Sequence, residues 1–279
     1  MRILVTGANG QLGRELTKRL QGADFLAVDI GEMDITNQAA TMKVVKSFQP
    51  DAVIHGAAYT NVNKAETDRE AAYKVNAIGT QNVAAACLSS GAKMVYISTD
   101  YVFDGTLGRA YNEFDNTNPQ SIYGKSKLAG EILAKHILNR LFIVRTSWLY
   151  GDGNNFVRTM LKLGAEKPEI KVVNDQHGCP TSTIDLANAI LRLVETEHYG
   201  IFHAANTGVT TWYDFAKKIF ELSGNKQVKV LPQTTAELNS PAPRPAYSPL
   251  ENLMLGLTIG NVMRTWEEAL GEYIKNNLT

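Results

Sequence analysis

A glycine-rich turn close to the N-terminus is the feature that most restricts how this chain can fold. A short, largely apolar run from residue 2 is followed by Gly7, Gly10 and Gly13, and residues 11–20 have the pattern of an amphipathic helix. Strand, tight turn and helix start in this order are typical of a dinucleotide-binding unit. The spacing is G-x-x-G-x-x-G instead of G-x-G-x-x-G, but it still supplies glycine for the turn, for close approach to a pyrophosphate and for helix–strand packing. Because free N–H groups at a helix start favour a phosphate anion, the turn predicts a dinucleotide cofactor.

The residue after the second predicted strand bears on the choice of cofactor. That strand covers residues 24–28 and is followed by Asp29. A carboxylate at this place hydrogen-bonds the adenosine ribose hydroxyls and disfavours a 2′-phosphate. Arg14 and Lys18 on the first predicted helix could offset that repulsion. The sequence therefore predicts NADPH or NADH as the cofactor and leaves the preference between them open.

Strands and helices alternate along the first half of the chain. Further strands are predicted at residues 52–55, 93–98 and 141–145, and helices over about 37–48 and 68–90. This alternation predicts an α/β fold with a doubly wound parallel sheet and right-handed crossovers. Ligands of such sheets bind outside the carboxyl ends of the strands, so motifs at those ends should converge on one cleft. The predicted ends carry Gly7, Ala57, Ser98, Thr99, Thr146 and Ser147.

A tyrosine and a lysine four residues apart indicate the chemistry. Tyr123 and Lys127 lie in a segment, YGKSKLAGEILAKHIL, that is predicted to be helical. Residues at i and i+4 share a helix face, so the phenol and the ammonium should project side by side. A neighbouring cation stabilises a phenolate and lowers the tyrosine pKa, which is otherwise near ~10. We therefore predict that Tyr123 exchanges a proton with a developing alkoxide.

Several motifs that are far apart in the sequence point to one family. The glycine turn, the Tyr123/Lys127 pair and the segment YISTDYVFDG at 96–105 resemble the extended short-chain dehydrogenase/reductase family, and the resemblance covers essentially the whole chain. Members that reduce a dTDP-linked 4-keto-6-deoxy sugar have runs similar to RTSWLYG at 145–151, NNFVRTM at 154–160, NDQHGCPT at 174–181 and TTWYDFA at 210–216. The resemblance implies a Rossmann-type sheet, a reduced nicotinamide cofactor and reduction of the sugar at C4.

The resemblance also implies roles for individual residues. Tyr123 would protonate the carbonyl oxygen, Lys127 would also bond the nicotinamide ribose, and Thr99 would bond the same oxygen, with the adjacent Ser98 as the alternative. Asp100 and Trp148 would contact the sugar nucleotide, although a core position is the alternative for Trp148. The residues implied to hold the cofactor are Gly7, Gly10, Gln11, Leu12, Gly13, Asp29, Asp34, Ile35, Ala57, Ala58, Tyr59, Asn76, Tyr123 and Lys127. Asn76 also matches the asparagine that organises the site in this family, with a capping or surface role as the alternative.

The pattern loosens beyond Trp148, where a smaller, discontinuous C-terminal substrate-binding domain is predicted. The dinucleotide-binding domain would comprise residues 1–148, about 179–205 and 259–279, and the substrate-binding domain about 149–178 and 206–258. Aromatic residues of TTWYDFA are expected in the core of the smaller domain.

Arg244 is the candidate for binding the diphosphate of the substrate. It lies between Pro243 and Pro245 in a stiff, proline-rich segment, and a guanidinium matches phosphate oxygens through its planar fork. The alternative is a solvated loop side chain.

Charge and composition limit the remaining classes. Lys+Arg and Asp+Glu both number 28, so the formal net charge is zero, and no nucleic-acid or membrane partner is indicated. Cys87, Cys179 and the five histidines form no ligand spacing, so no metal is predicted. Few cysteines, a first strand at residue 2 and no long apolar run predict a cytoplasmic protein. The sequence leaves the oligomeric state open and allows a homodimer.

Two other functions are weighed against the reductase. An epimerase or dehydratase of the same family is one, but a dehydratase typically has T-D-E where this chain has Thr99-Asp100-Tyr101. The other is a non-catalytic, cofactor-binding regulatory subunit, which has no need of the Tyr123/Lys127 pair that this chain retains.

Overall fold

The runs predicted as strands pair into one parallel sheet in the computed structural model, which describes residues 1–278. In chain order the strands are β1 Ile3–Thr6, β2 Phe25–Val28, β3 Ala52–His55, β4 Lys93–Thr99, β5 Leu141–Thr146, β6 Leu149–Tyr150, β7 Glu169–Val173, β8 His177–Gly178, β9 Thr181–Ser182, β10 Gly200–His203, β11 Thr210–Thr211 and β12 Lys229–Gln233. The six-stranded sheet has the order β2-β1-β3-β4-β5-β10, and every pairing in it is parallel. The chain passes from β1 outward to β2 and then returns to β3 on the other side of β1. That reversal creates a crevice at the carboxyl ends of β1 and β3, where open α/β sheets bind ligands.

Helices cover both faces of this sheet. They are α1 Gln11–Arg19, α2 Gln38–Phe48, α3 Val62–Ala65, α4 Arg69–Tyr73, α5 Thr80–Ser90, α6 Ile122–Ile137, α7 Phe156–Glu166, α8 Thr183–Val194, α9 Trp212–Leu222, α10 Thr235–Leu238, α11 Leu253–Ile259 and α12 Trp266–Leu278. Leu16 of α1 and Ile190 of α8 pack in the core cluster on one face. Val45 of α2, Val83 of α5 and Ala134 of α6 belong to the cluster on the other. The doubly wound parallel fold predicted from the sequence is confirmed.

A second core lies beyond the sheet and is built from the later elements. The parallel pair β7–β12 joins α7 and α9 there, with Tyr150, Met160, Phe215 and Ile219 in its buried cluster. Leu270 and other side chains of α12 belong to the same cluster, although the sequence pattern predicts this helix in the dinucleotide-binding domain. The division into two domains remains a prediction. No helix within residues 1–278 has the length and apolar character needed to span a membrane.

Two predicted helices differ from the observed ones. The segment 68–90 is interrupted by a π-helical turn, Lys74–Gly79, between α4 and α5, and such turns are often found at functional sites. The last helix begins at Trp266 instead of Val262, because Trp266 N donates to Thr207 O and holds the preceding residues extended.

Candidate active site

One cleft of about 550 Å³ collects residues from the ends of β1, β3, β4 and β5. Many of the residues singled out in the sequence line it, namely Gly7, Gly10, Gln11, Leu12, Gly13, Ala58, Ser98, Thr99, Asp100, Tyr123, Lys127 and Trp148. Seven others lie outside this lining: Asp29, Asp34, Ile35, Ala57, Tyr59, Asn76 and Arg244. The fold thus brings the glycine turn and the tyrosine–lysine pair, which are more than a hundred residues apart, to a single cavity.

The glycine turn has the shape that a dinucleotide requires. Gly7 has a φ of +70°, and a Cβ there would lie 2.7 Å from Ala57 N, while a Cβ on Gly13 would lie 2.2 Å from Gly7 O. Both positions therefore need glycine for packing. Gly10 precedes α1 without a side-chain cap, and the first turn of α1 carries no acidic residue, so its N–H groups and dipole are available to a phosphate. The buried Gln11 Oε1 also has no hydrogen-bond partner among the described residues. These residues fit a dinucleotide.

Asp29 lies at the end of β2 and contacts the glycine turn. One carboxylate oxygen accepts from Asn9 N at 2.8 Å and the other from Ile30 N at 2.8 Å. The Asp34 carboxylate accepts hydrogen bonds from both the N–H and the hydroxyl of Thr36. Ile35 is buried against Gly79, where a Cβ would approach its side chain to 2.7 Å. Asp29 is thus the member of this group that contacts the glycine turn directly.

Asn76 is buried beneath the cleft instead of forming its wall. Its Oδ1 accepts from Tyr59 N at 2.8 Å, and its Nδ2 donates to Tyr59 O and to Ser126 Oγ. It therefore ties the loop after β3 to helix α6, which carries Tyr123. The capping or surface alternative for Asn76 is wrong, because the residue is fully buried and sits within the π-helical turn. The geometry favours an organising role over direct cofactor contact.

Tyr123 and Thr99 face each other across the floor of the cleft. Helix α6 begins after Ser121, whose hydroxyl accepts from Gly124 N, and this cap sets Tyr123 in the first turn. Thr99 ends β4 and lines the same cleft as Tyr123. Burial raises the pKa of Tyr123, and the neighbouring Thr99 hydroxyl opposes that effect. Tyr123 is therefore protonated at neutral pH, which is the state that a proton donor needs.

Lys127 is one helical turn from Tyr123 but is held by other groups. Its Nζ donates to Ile97 O at 2.7 Å and lies 4.2 Å from the centre of the Tyr96 ring. Burial lowers the pKa of Lys127 to about 7, and the Glu131 carboxylate opposes that effect. The pKa of Tyr123 is therefore raised and not lowered as expected from its spacing to Lys127, because burial of the phenol has the larger effect on it.

The structure separates Ser98 from Thr99. Successive residues of a strand point to opposite faces, and Ser98 Oγ donates to the buried Glu131 Oε1 at 2.6 Å. The hydroxyl of Thr99 donates to Asp100 Oδ1 and also accepts from Tyr101 N. Since the Ser98 hydroxyl is engaged by Glu131, whereas the Thr99 hydroxyl is close enough to Tyr123 to influence its pKa, the geometry favours Thr99 as the hydroxyl that would meet a substrate oxygen.

Asp100 is a buried carboxyl at the same end of β4. Ser248 Oγ donates to its Oδ2 at 2.7 Å. Burial raises the pKa of Asp100 to about 6, against the lowering by the hydrogen bonds from Ser248 and Thr99. Asp100 thus links β4 to the proline-rich segment and borders the cleft.

Trp148 forms an aromatic wall with a residue that the sequence did not single out. Its ring stacks on Trp212 with centroids 3.6 Å apart and planes at 9°, and both rings line the cleft. Trp148 has a φ of +45°, a conformation that is costly for a bulky residue. Gly178 accommodates it, because a Cβ there would lie 2.4 Å from the indole. Phe215 lies in the core of the smaller domain as expected, and Trp212 is half-buried, packing against that core while also lining the cleft.

Arg244 lies at the edge of the cleft and reaches it through Tyr101. Arg244 Nη1 donates to Tyr101 OH at 3.2 Å, and its other nitrogens contact Ser240 and Asn63 at 3.4 Å. Tyr101 lines the cleft and meets Tyr123 edge-on, with ring centroids 5.5 Å apart. The sequence analysis uses Tyr101 only as evidence against a dehydratase. Its position directly after Thr99 and Asp100 is the signal that could have indicated a role in the site.

No group of three or more His, Cys, Asp or Glu side chains is arranged to hold a metal ion anywhere in residues 1–278. His55 and His203 are buried, and burial lowers the pKa of each to about 3.

Comparisons with known proteins identify the family of this chain. A dTDP-4-dehydrorhamnose reductase from Clostridium acetobutylicum has a crystal structure that superposes with a TM-score of 0.98, at 52% identity and over 100% of both chains. The enzyme of that name from Bacillus anthracis, solved in complex with NADP, superposes with a TM-score of 0.96, at 48% identity and over 99% of both chains. The one from Streptomyces griseus is 43% identical over 280 residues, which are 97% of this chain and 92% of that protein.

The family model described as the RmlD substrate binding domain matches residues 1–279. Together with these relatives, this match confirms the family that the spaced motifs indicated. The chain belongs to the RmlD substrate binding domain family.

Proposed function

We propose that this protein is a dTDP-4-dehydrorhamnose reductase, which reduces the C4 keto group of dTDP-4-dehydro-L-rhamnose with NADPH or NADH to give dTDP-L-rhamnose. The observation that carries the proposal is that Tyr123, Lys127 and Thr99 line the cleft that also contains the uncapped start of α1. The relatives at more than 40% identity support the substrate, and the relative in complex with NADP supports the cofactor.

The glycine turn and Lys127 would hold the cofactor, whose reduced nicotinamide supplies a hydride when it is bound. N–H groups at the start of α1 would take the pyrophosphate, and Asp29 would take the adenosine ribose. Lys127 would bond the nicotinamide ribose beside Tyr123. The remaining steps fall to side chains of the cleft.

Tyr123 acts as the general acid in this proposal. As charge develops on the C4 oxygen, the phenol gives it a proton, and the Thr99 hydroxyl donates a hydrogen bond to the same oxygen. The Lys127 ammonium stabilises the resulting phenolate, so the charge left on Tyr123 is compensated in a site that water reaches poorly. The Thr99 hydroxyl donates to Asp100 Oδ1 in this structure, so it would turn from that carboxylate to reach the C4 oxygen.

The sugar nucleotide would occupy the side of the cleft opposite the glycine turn. Trp148, stacked on Trp212, offers a flat apolar wall to the sugar, and Asp100 borders it. Arg244 would hold the diphosphate. We place the protein in the cytoplasm and regard a homodimer as its assembly.

Turnover tests this function directly. Purified protein with dTDP-4-dehydro-L-rhamnose should oxidise NADPH or NADH, measured by loss of the reduced-nicotinamide absorbance, and should form dTDP-L-rhamnose. Cofactor binding without substrate-dependent oxidation would point instead to the non-catalytic regulatory subunit.

Asp29→Ala is expected to move cofactor preference toward NADPH. Removing one carboxylate removes its repulsion of a 2′-phosphate, and the ratio of kcat/KM for NADPH over NADH should rise about tenfold, or about 1.4 kcal/mol. Asp29→Asn is the matched control for the loop, because an amide oxygen can still accept from Asn9 N. It should shift the ratio in the same direction. A shift toward NADH in either variant would mean that Asp29 does not face the ribose.

Arg244→Ala is expected to raise KM for the sugar nucleotide at least tenfold, roughly 1.4 kcal/mol or more, with unchanged cofactor affinity. The variant would lose the bonds between the guanidinium and the diphosphate. Cofactor affinity should not change, because Arg244 touches no part of the glycine turn. Arg109→Ala, which removes an exposed guanidinium paired with Asp115, is the control for loss of a surface positive charge and should leave KM unchanged. An unchanged KM in Arg244→Ala would place the diphosphate elsewhere.

A further inference from the structure

A buried ion pair lies directly behind the tyrosine–lysine pair. Glu131 Oε1 accepts from Ser98 Oγ at 2.6 Å and from Arg145 Nε at 3.0 Å, and Oε2 accepts from Arg145 Nη2 at 2.7 Å. Both charged side chains are 3% exposed. The Glu131 carboxylate therefore joins α6 to β4 and β5 at once.

The register of these elements places the pair next to the reacting groups. Tyr123, Lys127 and Glu131 are spaced four residues apart, so they lie along one face of α6. Ser98 immediately precedes Thr99, and Arg145 is the strand neighbour of Ser98. Lys127 Nζ is bonded to Ile97 O on the same strand. Any shift of α6 relative to β4 would alter the Tyr123–Thr99 contact and the Lys127–Ile97 contact together.

Stability alone does not account for such a pair. Desolvation of two charges offsets most of their attraction, and well-packed apolar side chains in their place are often as stable or more so. A charged group that is buried at this cost next to a functional site suggests that its charge acts on the pKa of a neighbouring group. The group on which it can act is Lys127.

Four ionisable groups face Lys127 from three elements: Tyr123 and Glu131 on α6, Tyr96 on β4 and His55 on β3. Burial lowers the pKa of His55 to about 3 and raises the pKa of Tyr96 and of Tyr123, so these three groups are neutral at neutral pH. Arg145 bonds the same carboxylate from the far side. Within the described residues, Glu131 is thus the anion that favours the ammonium form of Lys127 against burial.

We propose that Glu131 is a positioning residue for the reduction. It fixes α6 against β4 through Ser98 and Arg145, and it keeps Lys127 charged so that Lys127 can bond the cofactor and compensate the Tyr123 phenolate. The proposal rests on the proposed function for its chemical meaning, but its effect on Lys127 is measurable through cofactor binding alone.

The test follows NADPH binding to the full-length protein, by quenching of protein fluorescence, between pH 5.5 and 9. For wild type, affinity should fall as the pH rises through the pKa of Lys127. Glu131→Gln should move that midpoint to lower pH by about one unit, which is about tenfold weaker binding above the midpoint. Titration of the NADPH phosphate is common to all variants and cancels in the comparison.

Two further variants separate electrostatics from packing. Glu131→Asp keeps the carboxylate and should return the midpoint toward that of wild type. The double variant Glu131→Leu/Arg145→Met leaves no unpaired charge, so it should fold even where Glu131→Gln does not, and its midpoint should still be lowered. An unchanged midpoint in the folded double variant, or in Glu131→Gln, would overturn the proposal. Normal pH dependence of binding with no turnover in wild type would count against the proposed function and not against the role of Glu131.

Discussion

Replacing Tyr123 by phenylalanine is expected to lower kcat by about a hundred- to ten-thousand-fold, the range of a lost general acid. The substitution removes one hydroxyl at the point where α6 faces Thr99 and leaves the ring and its edge-on contact with Tyr101 in place. The glycine turn is untouched, so the affinity for NADPH should change little. Steady-state kinetics and fluorescence titration with NADPH measure the two quantities separately.

The appropriate control is Tyr73→Phe, which removes a hydroxyl from an exposed tyrosine of α4. It should leave both kcat and cofactor affinity unchanged. Near-normal turnover of Tyr123→Phe would remove Tyr123 from the mechanism and leave the proton donor to be found elsewhere in the cleft.

Lys127→Met is expected to have a double effect, because the ammonium has two roles. A methionine fills a similar buried volume but loses the bond to Ile97 O and the charge beside Tyr123. We expect kcat to fall about a hundredfold and the Kd for NADPH to rise about tenfold, which corresponds to about 1.4 kcal/mol. Lys125→Met changes an exposed lysine on the same helix and should alter neither quantity.

Each half of that prediction can fail separately. A normal Kd for NADPH in Lys127→Met would refute the contact with the nicotinamide ribose. A normal kcat with a raised Kd would mean that Tyr123 needs no neighbouring cation.

Local sequence rules account for the fold and for the composition of the cleft. The glycine turn, the alternation of strands and helices and the four-residue spacing of Tyr123 and Lys127 each depend on neighbouring residues in the chain. The rule that parallel strands end at one edge then brings them together. For this reason the sequence alone is enough to place Gly7, Thr99 and Thr146 in one cleft.

The features that the sequence could not supply depend on the surroundings of each group in three dimensions. The pKa of Tyr123 is raised because tertiary packing removes water from the phenol, and no spacing rule reports burial. The resemblance implies an organising role for Asn76, but its hydrogen-bond partners depend on a π-helical turn that has no distinctive periodicity. The amphipathic pattern of α9 predicts that Trp212 is in the core. It does not reveal that Trp212 stacks on Trp148, because the two residues are over sixty positions apart in the chain.

The fate of the hydride tests the central claim most directly. NADPH deuterated at C4 of the nicotinamide on both faces is incubated with the protein and dTDP-4-dehydro-L-rhamnose, and the sugar nucleotide is analysed by NMR and mass spectrometry. The account predicts dTDP-L-rhamnose with one deuterium, at C4 of the sugar, and one equivalent of oxidised cofactor. A product without deuterium, or a changed sugar with no net oxidation of the cofactor, would contradict it and would indicate an epimerase.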